Sequence, residues 1–450
     1  MGTLIRSGYI VEESSELKKE LTVRPIVNTE FGFPPPPFKV FRKSKKGICI
    51  PRFFGIEKFG EPTEDRRPDP ERLSSSVRFT GRLRDETFQN EALDKALEVG
   101  HGILSLDCGF GKTITSLAIA CRLGYRTMVI VHKEFLANQW EEKIKEFCPG
   151  ATIGRVQQNK LEMNCDFVIA MLQSLATKEY ELTDFDSIGT VLVDEAHHIC
   201  AKVFSQSLFK LCPKHIFGLS ATPERKDGLT KVLKWFIGPI FFSAFRENQG
   251  QVQVFPIKFD SPTYRNPPPL LRNGKLSLVL MISELVEHSA RNIMIMEIIQ
   301  KIVKEGRKLL VLSDRRFHCE YFHSRFPMCS GLYMGGMKQV DLSASSEKQV
   351  IFATYSQAHE GLDIPALDTI ILATPKSDIK QSVGRILRET PGKKNDPHIY
   401  DIIDEWSILQ SMYYKRTKVY RECGFNIPRL KNTVPVEDET RELFSTCAFL

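Results

Sequence analysis

One short stretch constrains the fold more than any other part of the chain. Residues 102–106 form an apolar run typical of a buried strand, and a helical pattern at residues 112–120 follows after a turn that contains Gly109 and Gly111. A strand, loop and helix in this order point backbone N–H groups and the positive end of the helix dipole at an anion. The stretch therefore predicts a phosphate-binding loop.

The side chains of this loop suit the same task. Gly109 and Gly111 let the backbone approach phosphate oxygens closely, Lys112 places a charge at the β- and γ-phosphates, and the hydroxyl of Thr113 can ligate Mg²⁺. The strict nucleotide-binding pattern has a glycine where this chain has Leu106, so the match is G-x-G-K-T and is less specific. An ordinary glycine turn is the alternative interpretation of the loop taken alone.

A second stretch, residues 190–198, supplies the acidic half of a nucleotide site. An apolar strand ends there in two adjacent carboxylates, Asp194 and Glu195. We expect Asp194 to hold the Mg²⁺ that Thr113 ligates, and Glu195 to orient and activate the water that attacks the γ-phosphate. In the alternative interpretation both carboxylates only cap the helix that follows.

Other polar residues extend this candidate site. Gln89, just before a helical pattern at residues 90–99, can recognise an adenine edge because an amide offers both a donor and an acceptor. By itself it is equally an ordinary surface glutamine. His197, together with Ser220 and Thr222 in a turn after the next strand, is a candidate for linking the phosphate state to movement between domains.

Polar residues also end two further predicted strands, at residues 125–132 and 166–174. Ligands bind at the carboxyl ends of the strands in an open parallel sheet. His132, Gln173 and Ser174 are therefore candidates for contact with a nucleic-acid backbone.

The C-terminal part predicts a second parallel-sheet lobe that has no phosphate loop of its own. We place a helix at residues 291–306 and strands at residues 308–315, 349–354, 369–373 and 397–403. At residues 381–388 a helical pattern puts Arg385 and Arg388 on one face. Two arginines placed in this way can form bidentate hydrogen bonds with the γ-phosphate of a nucleotide in the other lobe. A solvated basic helix is the alternative.

The N-terminal segment differs from the rest and predicts a small β-rich accessory domain. Residues 39–42 and 48–52 are predicted strands joined by a turn at residues 44–47. Its basic residues alternate with Phe41, Phe53 and Phe54, so they either form a solvated hairpin or contact a phosphate backbone. These basic residues are Arg42, Lys43, Lys45, Lys46 and Arg52.

Composition limits the classes of protein to which this chain can belong. A chain of 450 residues is too long for one ordinary core, and 42% hydrophobic with 26% charged residues is typical of a soluble globular protein. No apolar run approaches the roughly 18 residues that span a membrane, and no signal-peptide core is evident. Eleven scattered cysteines suggest reduced thiols in an intracellular protein, and His318, Cys319 and His323 are only weak zinc candidates. The net charge of +7 permits a polyanionic partner.

These patterns predict an α/β protein of several domains. We expect an N-terminal accessory domain and linker at residues 1–80, a first lobe at 81–240, an interdomain linker at 241–290, a second lobe at 291–430 and a mobile acidic tail at 431–450.

The motifs and their order resemble those of the superfamily 2 helicases with a DEAH-type box. The resemblance is carried by the phosphate loop, by residues 194–197 and 220–222, and by residues 354–365 and 381–388. Leu106 and residues 225–228 are similar in detail to the XPB/UvsW-like branch, which includes the poxviral transcript-release helicase. The similarity covers residues 83–425.

This resemblance implies two tandem RecA-like lobes with ATP and Mg²⁺ as cofactors. It also implies that Arg388 is the arginine finger, with Arg385 beside it and Gln381 in the same motif. Gly361 and Asp363 would face the nucleotide ribose, and Thr354 would contact a nucleic-acid phosphate.

The implied partner is nucleic acid, DNA more than RNA, along which a monomer would move in the 3′-to-5′ direction. The implied roles are repair, recombination or transcript release, with RNA polymerase or repair machinery as a partner. The expected location is the nucleus or cytoplasm, or the replication site or virion of a virus. A double-stranded DNA translocase without strand separation and an ATP-gated binding module remain as alternatives.

Overall fold

The computed structural model describes residues 2–26, 35–106, 109–197, 202–221, 223–225, 227–244, 252–261, 268–271, 274, 276–360, 362, 364–387 and 395–428. The chain divides into two compact units, Met1–Phe245 and Arg246–Leu450. Each contains a largely parallel sheet covered by helices, which confirms the predicted α/β fold class with tandem RecA-like lobes. Among the described residues, no helix combines the length and apolar character needed to cross a membrane.

The helices and strands of the first unit are β1 (Thr3–Ile5), β2 (Gly8–Val11), α1 (Ser15–Glu20), β3 (Thr22–Val23), β4 (Phe38–Lys39), β5 (Arg42–Ser44), β6 (Gly47–Ile50), α2 (Arg52–Phe59), β7 (Glu64–Asp65), α3 (Gln89–Val99), β8 (His101–Leu106), α4 (Lys112–Leu123), β9 (Thr127–Val131), α5 (Glu134–Phe147), β10 (Ile153–Gln157), β11 (Lys160–Leu161), β12 (Phe167–Met171), α6 (Leu172–Thr177), β13 (Thr190–Val193), α7 (Lys202–Ser205), β14 (His215–Ser220), α8 (Thr230–Ile237) and β15 (Ile240–Ala244).

The main sheet of this unit has the strand order β11-β10-β12-β9-β13-β14-β8-β15. Both faces of the sheet are covered, and successive residues of β13 are apolar on both sides: Val191 and Val193 face one core, and Leu192 faces the other. Strands β8, β9, β13 and β14 are parallel and in register. Their carboxyl ends therefore lie along one edge of the sheet, which is where the predicted site residues follow them.

The N-terminal sheet, in the order β5-β6-β2-β1-β7, shares a hydrophobic core with the main sheet. A hairpin lies close to the predicted one, with Lys43 opposite Ile48, but its first strand is Arg42–Ser44 rather than residues 39–42. Strand β4, Phe38–Lys39, pairs with β3 instead. The second strand was predicted to reach Arg52, but β6 ends at Ile50 and helix α2 begins at Arg52. The physical reason is Pro51, whose fixed φ suits a helix start.

Helix α2 determines what the basic and aromatic residues of this segment do. Phe53 and Phe54 are buried, and the Phe54 ring packs edge-on against Trp235 at a centroid distance of 5.0 Å. Arg42 donates to the carbonyl of Gln206 at 2.6 Å, and Arg52 donates to that of Pro213 at 3.1 Å. These phenylalanines are therefore packed inside the unit and offer no surface on which a base could stack.

Residues 61–82, predicted as part of a linker, run along the first unit instead. Strand β7 pairs in parallel with β1. The backbone N–H and the hydroxyl of Ser74 both donate to Asp166 Oδ1 at 2.7 Å, and Thr80 N donates to the carbonyl of Phe147 at 2.8 Å. Hydrogen bonds thus tie this segment to the rest of the first unit.

The second unit contains β16 (Gln253–Lys258), α9 (Leu278–Glu287), α10 (Ser289–Lys304), β17 (Leu309–Ser313), α11 (Arg316–His323), β18 (Ser330–Tyr333), α12 (Gln339–Glu347), β19 (Val350–Thr354), α13 (Tyr355–Glu360), β20 (Thr369–Leu372), α14 (Lys380–Val383), β21 (His398–Ile403) and α15 (Ser407–Glu422).

Its sheet has the order β16-β21-β20-β17-β19-β18, with parallel pairing throughout. Residues 241–290, predicted as a linker, contribute strand β16 at the sheet edge and helix α9. The core also holds two ion pairs, Arg291 with Asp404 and Arg416 with Asp401, each at 2.7 Å.

The weak zinc candidates of helix α11 have other partners. His318 is fully buried, with Nδ1 3.0 Å from Ser313 Oγ and Nε2 3.0 Å from Asn292 Oδ1. Asn292 Oδ1 is an acceptor, so Nε2 carries the proton and Nδ1 accepts from the serine hydroxyl. Burial and the nearby Arg291 charge lower the pKa of His318 to about 3, so the ring is a neutral part of the core.

Candidate nucleotide site

The predicted phosphate loop lies between β8 and α4. Gly111 precedes the helix with a left-handed φ of 77°, and Gly109 has a φ of 86°. Residues 107 and 108 lie outside the described part. Lys112 Nζ donates to the carbonyl of Leu106 at 2.9 Å, so the lysine folds back across the loop, while Thr113 occupies the second position of α4. The helix N-terminus and the ammonium group together form an anion-binding end.

Gln89 lies beneath this loop and is fully buried. Its Oε1 accepts from the backbone N–H of Arg84 at 2.9 Å, and its Nε2 donates to the carbonyl of Phe110 at 2.7 Å. A Cβ added at Gly111 would lie 2.3 Å from Gln89 Nε2, so glycine is required for this close packing. Both ends of the amide thus brace the loop in this structure.

Two residues beside Gln89 were not singled out in the sequence. Arg84 Nη2 donates to the carbonyl of Gly109 at 3.3 Å, which adds a guanidinium group to the rim of the loop. Phe88 has a left-handed φ of 58° and keeps its ring 44% exposed. A bulky residue rarely adopts this conformation, so Phe88 is held there by its surroundings.

Asp194 follows β13 and is held by two N–H donors. Trp140 Nε1 donates to Oδ2 at 2.9 Å, and the backbone N–H of Glu195 donates to Oδ1 at 3.0 Å. Burial, and then the charge of Glu195, raises the pKa of Asp194 to about 6, while Trp140, Lys112 and His132 partly offset that rise.

Glu195 adopts a left-handed φ of 45°, which is strained for a residue with a side chain. Its Oε2 is buried without a hydrogen bond from the described residues and lies 3.4 Å from His197 Nδ1. The same His197 atom is 3.3 Å from Ser220 Oγ. His197 therefore touches both the acidic pair and the end of β14.

Arg225 also reaches this cluster. Its Nη1 donates to the carbonyl of His197 at 2.6 Å, and its guanidinium forms a 2.5 Å ion pair with Asp227. The sequence gave no sign of this contact, since 28 positions separate the two partners. Thr222, predicted to act with Ser220, lies outside the described residues.

The predicted nucleic-acid contacts of the first unit lie in different settings. His132 is half-buried beside Asp194. Strand β12 ends at Met171, short of the predicted residue 174, and helix α6 begins at once. Gln173 is exposed on its first turn, whereas Ser174 is nearly buried and its hydroxyl accepts from the backbone N–H of Gln158 at 3.1 Å.

In the second unit, Thr354 is the last residue of β19 and its Oγ1 is 3.3 Å from Ser356 Oγ. Helix α14 ends at Val383, so Arg385 lies in a turn rather than on the longer helical face that the sequence predicted. Gly384 follows the last helical residue and keeps a helical conformation, with φ −54° and ψ −20°. The predicted residues that fall outside the described part are Gly361, Asp363 and Arg388, together with the side chain of Gln381.

The residues of the first unit fit a nucleotide with Mg²⁺. A helix N-terminus with Lys112 suits phosphate groups, while the Asp194 carboxylate and the Thr113 hydroxyl are oxygen ligands of the kind that Mg²⁺ takes. The buried Glu195 Oε2 has unused acceptor capacity for a water molecule. The arrangement is therefore suited to the hydrolysis of a phosphoanhydride.

Comparison with known proteins places these residues in context. A family model described as the res subunit of type III restriction enzymes matches residues 82–225. A protein of Acanthamoeba polyphaga mimivirus, named as a candidate ATP-dependent RNA helicase, is 33% identical over 457 residues, which cover 95% of this chain and 86% of the relative.

Two other viral relatives show lower identity. A candidate helicase of Invertebrate iridescent virus 6 is 29% identical over 384 residues, covering 78% of this chain and 83% of the relative. A candidate ATP-dependent RNA helicase of African swine fever virus is 25% identical over 384 residues, covering 76% of this chain and 73% of the relative. The matches therefore extend well beyond the phosphate loop.

Proposed function

This chain belongs to the superfamily 2 helicases, and from that premise we propose that it is an ATP-driven motor that moves along DNA in the 3′-to-5′ direction and separates its strands. An ATP-hydrolysing enzyme that binds nucleic acid follows from the family itself. The choice of DNA and the polarity follow from the resemblance of its motifs to the XPB/UvsW-like branch.

One set of contacts carries the proposal: Glu195 contacts His197, and His197 contacts Ser220. Asp194, which interacts electrostatically with Lys112, is the neighbour of Glu195 in the chain. Lys112 and the N-terminus of α4 hold the β- and γ-phosphates. Asp194 and Thr113 hold Mg²⁺, which neutralises phosphate charge when bound. Glu195 orients a water molecule, which attacks the γ-phosphorus while the bond to the β-phosphate oxygen breaks, and Glu195 accepts the water proton.

The resemblance of the motifs supplies the remaining roles at the nucleotide. It assigns Arg388, with Arg385 beside it and Gln381 in the same motif, to the charge on the transferred phosphoryl group. It assigns Gly361 and Asp363 to the ribose. In the first unit Gln89 recognises the adenine of the nucleotide. Its hydrogen bonds to the Arg84 N–H and the Phe110 carbonyl link adenine binding to the conformation of the phosphate loop.

Hydrolysis is converted into movement through His197, Ser220 and Thr222. When the γ-phosphate is lost, Glu195 loses a partner. Because His197 contacts both Glu195 and Ser220, this loss affects the end of β14. His132, Gln173, Ser174 and Thr354 contact the nucleic-acid backbone, which carries no base-specific information. The contacts to the backbone alternate between nucleotide states, and this alternation advances the protein along one strand.

This activity suits repair, recombination or transcript release, with RNA polymerase or a repair complex as the partner. One observation favours a second candidate: two of the viral relatives carry names that specify RNA. Action on RNA is therefore the alternative substrate for the same motor. The chain acts as a monomer in either case.

The test combines ATPase and strand-displacement assays on defined substrates. We expect single-stranded DNA to stimulate ATP hydrolysis more than RNA does, and a duplex with a 3′ tail to be unwound in preference to one with a 5′ tail. Greater stimulation by RNA would favour the second candidate. Displacement of a triplex strand without duplex unwinding would indicate a translocase, and ATPase activity indifferent to every nucleic acid would contradict the motor.

A further inference from the structure

Trp140 makes a polar contact that its packing does not require. It lies on α5, is only 2% exposed, and its Nε1 donates to Asp194 Oδ2 at 2.9 Å. The other carboxylate oxygen, Oδ1, accepts from the backbone N–H of Glu195 at 3.0 Å. Each oxygen of this half-buried carboxylate is thus held by one N–H group.

This contact fixes the orientation of the Asp194 carboxylate. The terminal torsion of an aspartate is broad, so the plane of a free carboxylate is poorly defined. The N–H of Glu195 belongs to the adjacent residue and restrains only one oxygen. The indole N–H, which comes from another element, restrains the second oxygen and so defines the plane.

We propose that Trp140 is a positioning residue that presents the Asp194 carboxylate to the divalent cation of the bound nucleotide. The inference rests on the proposed function, because it takes Asp194 as a cation ligand. Each carboxylate oxygen keeps acceptor capacity beyond its one N–H bond, so the indole leaves room for the ion. Hydrogen-bonding partners that orient a metal ligand contribute to metal affinity without touching the metal.

A purely structural role must be separated from this one, since Trp140 also contributes to the core that covers the main sheet. Trp235 offers a matched control. It lies on α8 of the same unit, is 9% exposed, and packs edge-on against Phe54 at a centroid distance of 5.0 Å. Replacing either tryptophan by phenylalanine removes similar volume, but only Trp140→Phe removes a hydrogen bond to Asp194.

The experiment measures two affinities of the full chain. ADP binding is measured in the presence of EDTA, and Mn²⁺ binding is measured by electron paramagnetic resonance at saturating ADP. We expect Trp140→Phe to bind ADP as the wild type does but to bind Mn²⁺ about 10- to 100-fold more weakly. Trp235→Phe should match the wild type in both measurements.

A double variant tests whether Trp140 acts through Asp194. Adding Trp140→Phe to Asp194→Asn should weaken Mn²⁺ binding no further than Asp194→Asn alone. Unchanged Mn²⁺ affinity in Trp140→Phe, or an equal loss in Trp235→Phe, would overturn the assignment. If the wild type itself bound no ADP, the proposed function would be the part that failed.

A second measurement applies if Trp140→Phe does not fold. The chain has three tryptophans, so Trp235→Phe combined with Trp406→Phe leaves Trp140 as the sole indole. Paramagnetic Mn²⁺ bound at Asp194 should then quench the Trp140 fluorescence when ADP is present. Binding of Mn²⁺ and ADP without any quenching would overturn the proposal.

Discussion

At the scale of single residues, Glu195 combines two unfavourable features. Its left-handed φ of 45° costs about 1–2 kcal/mol for a residue with a side chain, and its buried Oε2 accepts no hydrogen bond from the described residues. Side chains held in this way are concentrated at functional sites, where the surrounding structure maintains them. We interpret the oxygen as the acceptor for the attacking water.

The first prediction follows from that assignment. Glu195→Gln keeps the size of the side chain but cannot accept the water proton, so ATP turnover should fall by about 10²- to 10⁴-fold while ATP binding is retained. Lys112→Ala should instead lose both, because it removes charge from the phosphates. Steady-state ATPase assays and nucleotide titrations distinguish the two variants. A normal turnover rate in Glu195→Gln would show that another group activates the water.

The second prediction concerns the stability of the second unit in acid. The pKa of His318 is about 3 in the folded chain and about 6.5 when unfolded. Its stabilising contribution is therefore complete above the unfolded pKa and decreases as the pH falls towards 3. Between about pH 7.5 and pH 5 the free energy of unfolding should drop by about 2 kcal/mol through this residue alone.

Denaturant unfolding of the wild type and of His318→Gln at both pH values checks this. The glutamine variant should be less stable at the higher pH, because its fit between Ser313 and Asn292 is imperfect, but it should lose about 2 kcal/mol less on acidification. An identical pH dependence in the two proteins would contradict the assignment of a neutral buried ring.

At the scale of elements, α15 and β21 are joined by a buried charge network. Arg416 on α15 is 1% exposed and binds Asp401 on β21, while the Tyr420 hydroxyl donates to Asp401 Oδ2 at 2.8 Å. Arg416 also donates to the carbonyl of Lys376 at 2.8 Å. One guanidinium thus connects the last helix, the strand beneath it and the segment that precedes α14.

The third prediction tests this connection. Arg416→Met should lower the free energy of unfolding of the second unit by about 3–5 kcal/mol, because it leaves the Asp401 charge buried without its partner. Adding Asp401→Asn removes that charge and should recover a large part of the loss. Thermal and denaturant unfolding of the single and double variants measure both effects. A double variant as unstable as Arg416→Met would show that the network matters for packing rather than charge.

The elements that the sequence predicted well are those with strong local signals. Strand β8, the glycine turn and α4 are defined by periodicity and by residues that only a phosphate loop requires. Helix α2 was missed because its aromatic run resembles a strand, although Pro51 was an available signal. The wrong extension of β12 to residue 174 has the same origin, since an apolar run does not mark where a strand gives way to a helix.

The site residues divide in the same way. Lys112 and Asp194 are predicted site residues that belong to local motifs. Trp140 contacts Asp194 across 54 positions and Arg225 contacts His197 across 28, and no pattern within one element encodes such a pair. Arg416 on α15 pairs with Asp401 on β21, which is likewise a contact between two elements. Contacts between distant elements therefore require the structure, whereas the residues predicted to perform chemistry lie in local sequence motifs.

At the scale of the whole molecule, the two units are similar in architecture but differ in the candidate site residues that they contain. Both have parallel sheets with helices on the faces. The first unit supplies a phosphate loop and an acidic pair, while the second supplies an arginine turn after α14. The proposed motor uses both sets, because the loop and the acidic pair serve phosphate binding and water activation, and the arginines serve charge on the transferred phosphoryl group.

The last prediction follows from this difference between the site residues of the two units. Arg388→Ala should lower ATP turnover by about 10³-fold or more, while the affinity for ADP, which lacks the transferred phosphate, stays unchanged. Arg388→Lys should restore little, because an ammonium group lacks the bidentate geometry of a guanidinium. Arg325→Ala is a matched control: Arg325 is exposed in the same unit, lies over the Tyr321 ring, and its loss should leave turnover unaltered. Nucleotide titrations and ATPase assays with and without DNA give the comparison. If Arg388→Ala turned over ATP as fast as Arg325→Ala, hydrolysis would be complete within the first unit and movement would require a different link.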